Sequence, residues 1–301
     1  MIEMLGATDQ FVMELPWLAG LMHRLFGTSV KPCADHQLKA QSPVRFSHTP
    51  FGTRSYYLAG SGSPTVIFES GLGDGKEVWA PVFNALSRKT RVLAYDRAGY
   101  GQSDKSSWTR DGFQIVHELR ALLRTENIAP PYVLVGHSLG GTLVKLFART
   151  YPDEVAGVVL VDARHADFVG RCRKMGLLRL LYEPPLPLFL LGRSAMRSEL
   201  LAAPATMEQA RSTGTFPNVP LRVLTHRRRF LYQTRGLALA WADCQSSLAG
   251  MSAQGLLRIC DQSGHHVHRD RPDLVIRAIL SVMASLPLPF ELADPHRLMP
   301  S

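Results

Sequence analysis

The sequence predicts an α/β fold: a doubly wound, mostly parallel sheet with a helical cap insertion. Three observations predict it. Short apolar runs rich in valine, leucine and isoleucine recur at 65–69, 91–95, 132–136, 157–162, 221–225 and 256–260, the pattern of strands buried on both faces. Helix-length stretches alternate with them, which is how parallel neighbours are joined. The stretch 163–220, rich in leucine and proline, breaks the alternation. The 301 residues, 46% of them hydrophobic, suffice for one large domain with an insertion.

Near the N-terminus, Phe11, Val12, Leu15, Leu18, Met22, Leu25 and Phe26 share one helical face. Glu14, Pro16, His23 and Arg24 interrupt the run, and it is too short for a membrane span. It lacks a basic leader region and a clear cleavage site, so it reads poorly as a signal peptide. The face is expected to pack on the protein's own body or to join two copies as a homo-oligomer. Attachment to a membrane surface is the less favoured reading. Gly27, Pro32, Pro43 and Pro50 punctuate an aperiodic stretch behind it. Helix and linker are assigned 1–43. A hairpin around 44–59 opens a core made of 44–162 and 221–287, with 163–220 as the cap and 288–301 as a tail.

Strand 65–69 leads into Gly71-Leu72-Gly73-Asp74-Gly75-Lys76-Glu77. This loop lacks the glycine spacing of a phosphate loop and the hydroxyl residue after lysine, so nucleotide binding is not expected. Strand 91–95 runs into Asp96-Arg97-Ala98-Gly99-Tyr100-Gly101-Gln102-Ser103. The run Tyr132-Val133-Leu134-Val135 enters Gly136-His137-Ser138-Leu139-Gly140, and a helix is expected over 139–148. A serine at such a strand-to-helix turn is strained and exposed. Glycines flank it because a Cβ there would strike the neighbouring strand or helix. The helix dipole and the amide of Leu139 face any oxyanion formed beside Ser138. This is the reading of a nucleophile elbow.

A serine hydroxyl needs a base at neutral pH. The late stretch Ser263-Gly264-His265-His266-Val267-His268 offers one, His265. Asp270, Pro272 and Asp273 read as the start of a following helix. His266 and His268 read as surface residues or supports behind the site. Adjacent histidines point different ways, so no metal site is expected.

These motifs together resemble the α/β-hydrolase fold superfamily, of the esterase/lipase type of serine hydrolase, over about residues 50–285. Thr65 to Gly73 is similar to the family's strand and oxyanion loop, with Ser70 where a histidine is often found. Tyr95 to Ser103 is similar to its Asp-x-x-Gly-x-Gly-x-Ser turn. Gly136 to Gly140 is the elbow and Gly264-His265 the histidine loop. The resemblance implies a Ser138–His265–acid triad, with the amides of Leu139 and Leu72 as the oxyanion hole. In the family the acid usually follows the strand here at 221–225, but Thr225-His226-Arg227-Arg228-Arg229 holds no carboxylate. One strand earlier, Val158-Val159-Leu160-Val161-Asp162 ends in an acid at the carboxyl edge of the sheet. Asp162 is favoured, and Asp243 and Asp167 stay open.

The expected activity is cleavage of a carboxylic ester on a small apolar acyl substrate, without cofactor or metal. Alternatives are a C–C hydrolase, an amidase, a perhydrolase-type acyl enzyme, or a ligand-binding protein on the same scaffold. Haloalkane and epoxide cleavage are disfavoured, because those relatives carry aspartate where this chain has Ser138. The net charge of +9 reads as an arginine-rich surface. Its one dense run, Arg227-Arg228-Arg229, is too short to imply nucleic acid. Cys33, Cys172, Cys244 and Cys260 have no ligand or redox spacing. They read as free thiols in a reducing, cytoplasmic compartment.

Overall fold

The structure, a computed structural model, describes residues 40–177, 194–227 and 234–286. The expected N-terminal helix, most of the linker, the run 184–191 and the tail 288–301 lie outside the described residues. The elements follow in chain order. The first half holds β1 (Arg45–Thr49), β2 (Gly52–Ala59), β3 (Thr65–Glu69), a 3-10 turn (Lys76–Trp79), α1 (Ala80–Leu86), β4 (Val92–Tyr95), α2 (Gly112–Thr125), β5 (Tyr132–His137) and α3 (Leu139–Thr150). The second holds β6 (Val155–Val161), α4 (Phe168–Lys174), α5 (Ala195–Ser212), β7 (Leu221–His226), α6 (Arg235–Ala249), β8 (Gly255–Cys260), α7 (Val267–Asp270) and α8 (Pro272–Ala284).

The strands form one eight-stranded sheet in the order β1-β2-β4-β3-β5-β6-β7-β8. The β1–β2 and β2–β4 pairs are antiparallel and the rest are parallel. The strand runs expected from sequence match these elements within two residues. Because β3 lies between β4 and β5, the chain reverses its direction of winding there. Such a reversal opens a crevice at the carboxyl edge of the strands.

Side chains alternate across the sheet, so each strand feeds two cores. Leu134 of β5 and Leu160 of β6 pack with Leu119 of α2 and Phe147 of α3 on one face. Val133, Val135 and Val159 pack with Phe83 of α1 and Ile279 of α8 on the other. Each buried valine or leucine is worth about 1.5–3 kcal/mol in transfer free energy, which explains why β3 to β6 read as nearly continuous apolar runs. In α2, Ile115, Leu119 and Leu122 recur at helical spacing and are buried. Asp111 caps that helix by accepting from the Gln114 amide at 3.2 Å.

Between β6 and β7 the chain makes α4 and then α5, which crosses back to pack on α2 and α3. The last expected helix starts differently from its sequence signals. Asp270 does not cap α8. It accepts from the Gly264 amide at 2.8 Å and so closes the histidine loop, while Arg271 occupies the cap position without a side-chain bond.

Candidate active site

Ser138 stands at the end of β5 with φ 52° and ψ −115°. A non-glycine residue avoids this region unless its surroundings enforce it. Here the Ser138 amide donates to the Val161 carbonyl (3.2 Å), and the Ser138 carbonyl accepts from the Gly141 (3.1 Å) and Arg164 (3.0 Å) amides. Two glycines permit the turn. A Cβ on Gly136 would lie 2.5 Å from the Gly140 carbonyl oxygen, and one on Gly140 would lie 2.3 Å from that of Glu69. Ser138 is partly exposed, whereas both neighbours in the chain are buried. Leu139 begins α3, so its amide has no intrahelical acceptor.

The glycine loop after β3 faces this turn. A Cβ on Gly71 would lie 2.8 Å from the His137 ring. Arg97 holds the loop from behind by donating to the Ser70 (2.7 Å) and Gly71 (2.8 Å) carbonyls. Carbonyl and amide of one trans peptide point opposite ways, so a clamp on the Gly71 carbonyl turns the Leu72 amide away from Arg97. Ser70 fills the position where a histidine is often found. Its hydroxyl donates to the Gly75 carbonyl (3.0 Å) and accepts from the Trp79 indole (3.1 Å).

Asp162 follows β6 with φ 46° and is fully buried. Its Oδ2 lies 2.6 Å from the Nδ1 of His265 and 2.6 Å from the Nδ1 of His226. Its Oδ1 accepts from the Thr225 hydroxyl (2.9 Å), the His226 amide (3.2 Å) and the Trp241 indole (3.1 Å). Burial alone would raise its pKa. The His226 and His265 rings outweigh burial and hold the carboxyl well below the usual range. It therefore remains an acceptor at neutral pH, which sets His265 with a proton on Nδ1 and leaves Nε2 free to act as a base.

The other candidate acids lie elsewhere. Asp243, on α6, is exposed and pairs with Arg171. Asp167 is half-buried and pairs with Arg211 at 3.2 Å. His268 is not a surface residue. It is wholly buried against the Trp79 ring, centroid to centroid 4.5 Å. Burial, with the neighbouring histidines, holds His268 and His137 well below the ordinary imidazole pKa. His137 Nε2 lies 3.0 Å from the His265 carbonyl. That oxygen can only accept, so Nε2 carries the proton and steadies the histidine loop.

His226 is the residue that reading the sequence missed. It stands at the end of β7, where the family usually places a carboxylate. Its signal was position alone: a polar residue at the carboxyl edge of a buried strand. Among the described residues, Asp162, His226 and His265 are also the one group whose ligand atoms, all within 4.8 Å, could surround a metal ion. Separations of 2.6 Å are those of hydrogen bonds; ligands around zinc at about 2.0 Å stand roughly 3.3 Å apart.

Comparison with known proteins agrees with this arrangement of strands and turns. A model of the alpha/beta hydrolase fold matches residues 64–238. The chain is 29% identical over 225 residues to the uncharacterized protein YqjL of Bacillus subtilis (strain 168), covering 74% of this chain and 85% of that one. An epoxide hydrolase mutant of Vigna radiata superposes with TM-score 0.63 at 16% identity, covering 81% of this chain and 99% of that one. A thermophilic esterase of Thermogutta terrifontis superposes with TM-score 0.57 at 19% identity, covering 81% and 98%. The matched stretch takes in the glycine loop, the elbow and the strand ending at Asp162, and the chain belongs to the alpha/beta hydrolase fold family.

Proposed function

We propose that the protein is a serine hydrolase that cleaves a carboxylic ester through Ser138, His265 and Asp162. The observation that carries this reading is the 2.6 Å contact from His265 to a buried, ionised Asp162, at the same sheet edge as the strained Ser138. His265 takes the Ser138 proton as the hydroxyl oxygen attacks the acyl carbon. The tetrahedral oxyanion accepts from the amides of Leu139 and Leu72. His265 then protonates the leaving alcohol. Water, deprotonated by His265, releases the acid from the acyl-enzyme. Each oxyanion donor contributes about 3–4 kcal/mol of transition-state stabilisation.

Aromatic side chains stand beside His265. Trp241 lies 6.1 Å from the His265 ring, and Phe168 packs edge-on against Trp241 at 5.2 Å. With Leu237 they belong to an apolar cluster between α4 and α6. This supports a small apolar acyl group as substrate and the 163–220 segment as a cap over it. Serine at the elbow disfavours the epoxide chemistry named for one structural neighbour.

The test is labelling with a fluorophosphonate followed by peptide mapping, then turnover of a p-nitrophenyl ester series. Label on Ser138 with ester turnover is expected. Label on another residue, or none, overturns the nucleophile. Label on Ser138 without turnover of any ester overturns ester cleavage and leaves amide, C–C bond or ligand-binding chemistry.

A further inference from the structure

Glu199 lies on α5, in the segment inserted between β6 and β7, yet its carboxylate is wholly buried against the core. Oε1 accepts from Arg97 Nε at 2.8 Å, and Oε2 accepts from Arg97 Nη2 at 2.9 Å. Oε2 also accepts from the Tyr100 hydroxyl at 2.9 Å. Such a two-point grip on one edge of a guanidinium fixes its plane as well as its place. Arg97 Nη1 also pairs with Glu69 at 2.7 Å, and Arg110 Nη2 lies 3.6 Å from Glu199 Oε1, so the carboxylate balances charge in a buried network while gripping Arg97.

The groups that Glu199 holds in turn hold the oxyanion loop. Arg97 donates to the Ser70 and Gly71 carbonyls, and the Gly73 amide donates to the Tyr100 hydroxyl at 3.3 Å. The peptides on both sides of Leu72 are thereby tied to residues oriented by one carboxylate. The first turn of α5 also rests on this region. A Cβ on Gly73 would lie 3.2 Å from Met196 Sδ, and one on Gly99 would lie 2.8 Å from the Ala195 Cβ.

We infer that Glu199 is a positioning residue: through Arg97 and Tyr100 it sets the direction of the Leu72 amide, so that docking of α5 and assembly of the oxyanion hole are one event. This rests on the serine hydrolase reading for its catalytic consequence, but not for its structural one. An acyl substrate that displaces α5 misaims the hole. One that fits beneath it leaves the hole intact, and the inserted helix thereby becomes a selector of kcat and not only of binding.

The experiment compares full-length wild type, Glu199→Gln, Tyr100→Phe and the double variant, at a temperature well below the lowest melting point. Glutamine keeps the size of the side chain and one acceptor but loses the second, so it is expected to fold. Backbone amide exchange at residues 70–75 is read first and is expected to quicken in each variant. For p-nitrophenyl butyrate, kcat is expected to fall about 10–100-fold in Glu199→Gln, below the full loss of an oxyanion donor, with KM within about twofold. The double variant should fall by less than the product of the single losses, since both act on one loop. A lowered melting point with unchanged exchange and unchanged kcat would reduce Glu199 to a structural ion pair and overturn the inference. Should wild type neither label nor turn over, the hydrolase reading fails by itself. Exchange at 70–75 then still decides: quickened exchange upholds the loop positioning, and unchanged exchange overturns it.

Discussion

In the proposed triad, Asp162 gathers the contacts of the site on one side chain. It takes five hydrogen bonds while fully buried, and two of them come from imidazoles sharing Oδ2. Asp162→Asn should fold, because asparagine tolerates positive φ. It should lose about 10⁴-fold in kcat as His265 adopts the wrong tautomer; a loss under tenfold in ester turnover would contradict its role. The depressed carboxyl pKa also has a sign. Its stabilising contribution is present above the unfolded value of about 3.9 and is lost as pH falls towards the lower folded value. Activity lost between pH 5 and 8 therefore does not report Asp162. Lys145, on α3, behaves oppositely. Burial, with the nearby Arg149 charge, lowers its pKa to about 7. The unfolded chain binds this proton more tightly, so the cost to folding is complete below pH 7 and fades as pH rises towards 10.5. Lys145→Met should stabilise the protein by up to roughly 5 kcal/mol at pH 6 and by clearly less at pH 9, since the gain falls as pH rises from 7 towards 10.5. Denaturant melts at both pH values check the trend.

At the scale of elements, close approach decides which small residues matter. The elbow packs against the end of β3, where a Cβ on Gly140 would meet the Glu69 and Ser70 carbonyl oxygens at 2.3 and 2.6 Å. Backbone atoms cannot swing aside as a side chain does. Gly140→Ala should cost about 2–3 kcal/mol and abolish fluorophosphonate labelling. Gly170, inside α4, has nothing within 4 Å of its Cβ position. Gly170→Ala should instead stabilise by about 0.5–1 kcal/mol through helix propensity, without changing turnover. Melting curves of the two variants should therefore move in opposite directions. The sequence alone distinguished these glycines only through the strand-turn-helix context of the first. The contrast between the predicted and observed helix start at 270–273 has the same origin. Asp270 has the composition of a cap, but the loop it could close was nearer than the helix end it could cap.

For the whole molecule, the sheet order leaves β8 at an edge among the described residues. Leu256 and Ile259 there are 59% and 52% exposed. An apolar edge of this kind invites pairing with other chains. Replacing both with lysine should reduce self-association in light scattering while ester turnover stays at the wild-type level, because the edge lies outside the Ser138, His265 and Asp162 arrangement. Unchanged light scattering would show that this edge drives no association.

The sequence by itself determined the layer architecture and the positions of its turns. Apolar runs of strand length separated by helices admit few arrangements, and the local clash rules around Ser138 act within a few residues of it. It also placed Asp162 at a strand end. The tertiary structure alone decided which groups meet there. His226 and His265 reach one oxygen of Asp162 from 64 and 103 residues away in the chain. Glu199 reaches Arg97 from 102 residues away. Burial gives these contacts their strength, since a charge removed from water must find its partners among whatever the fold brings near. A pattern read along the chain carries no term for that proximity.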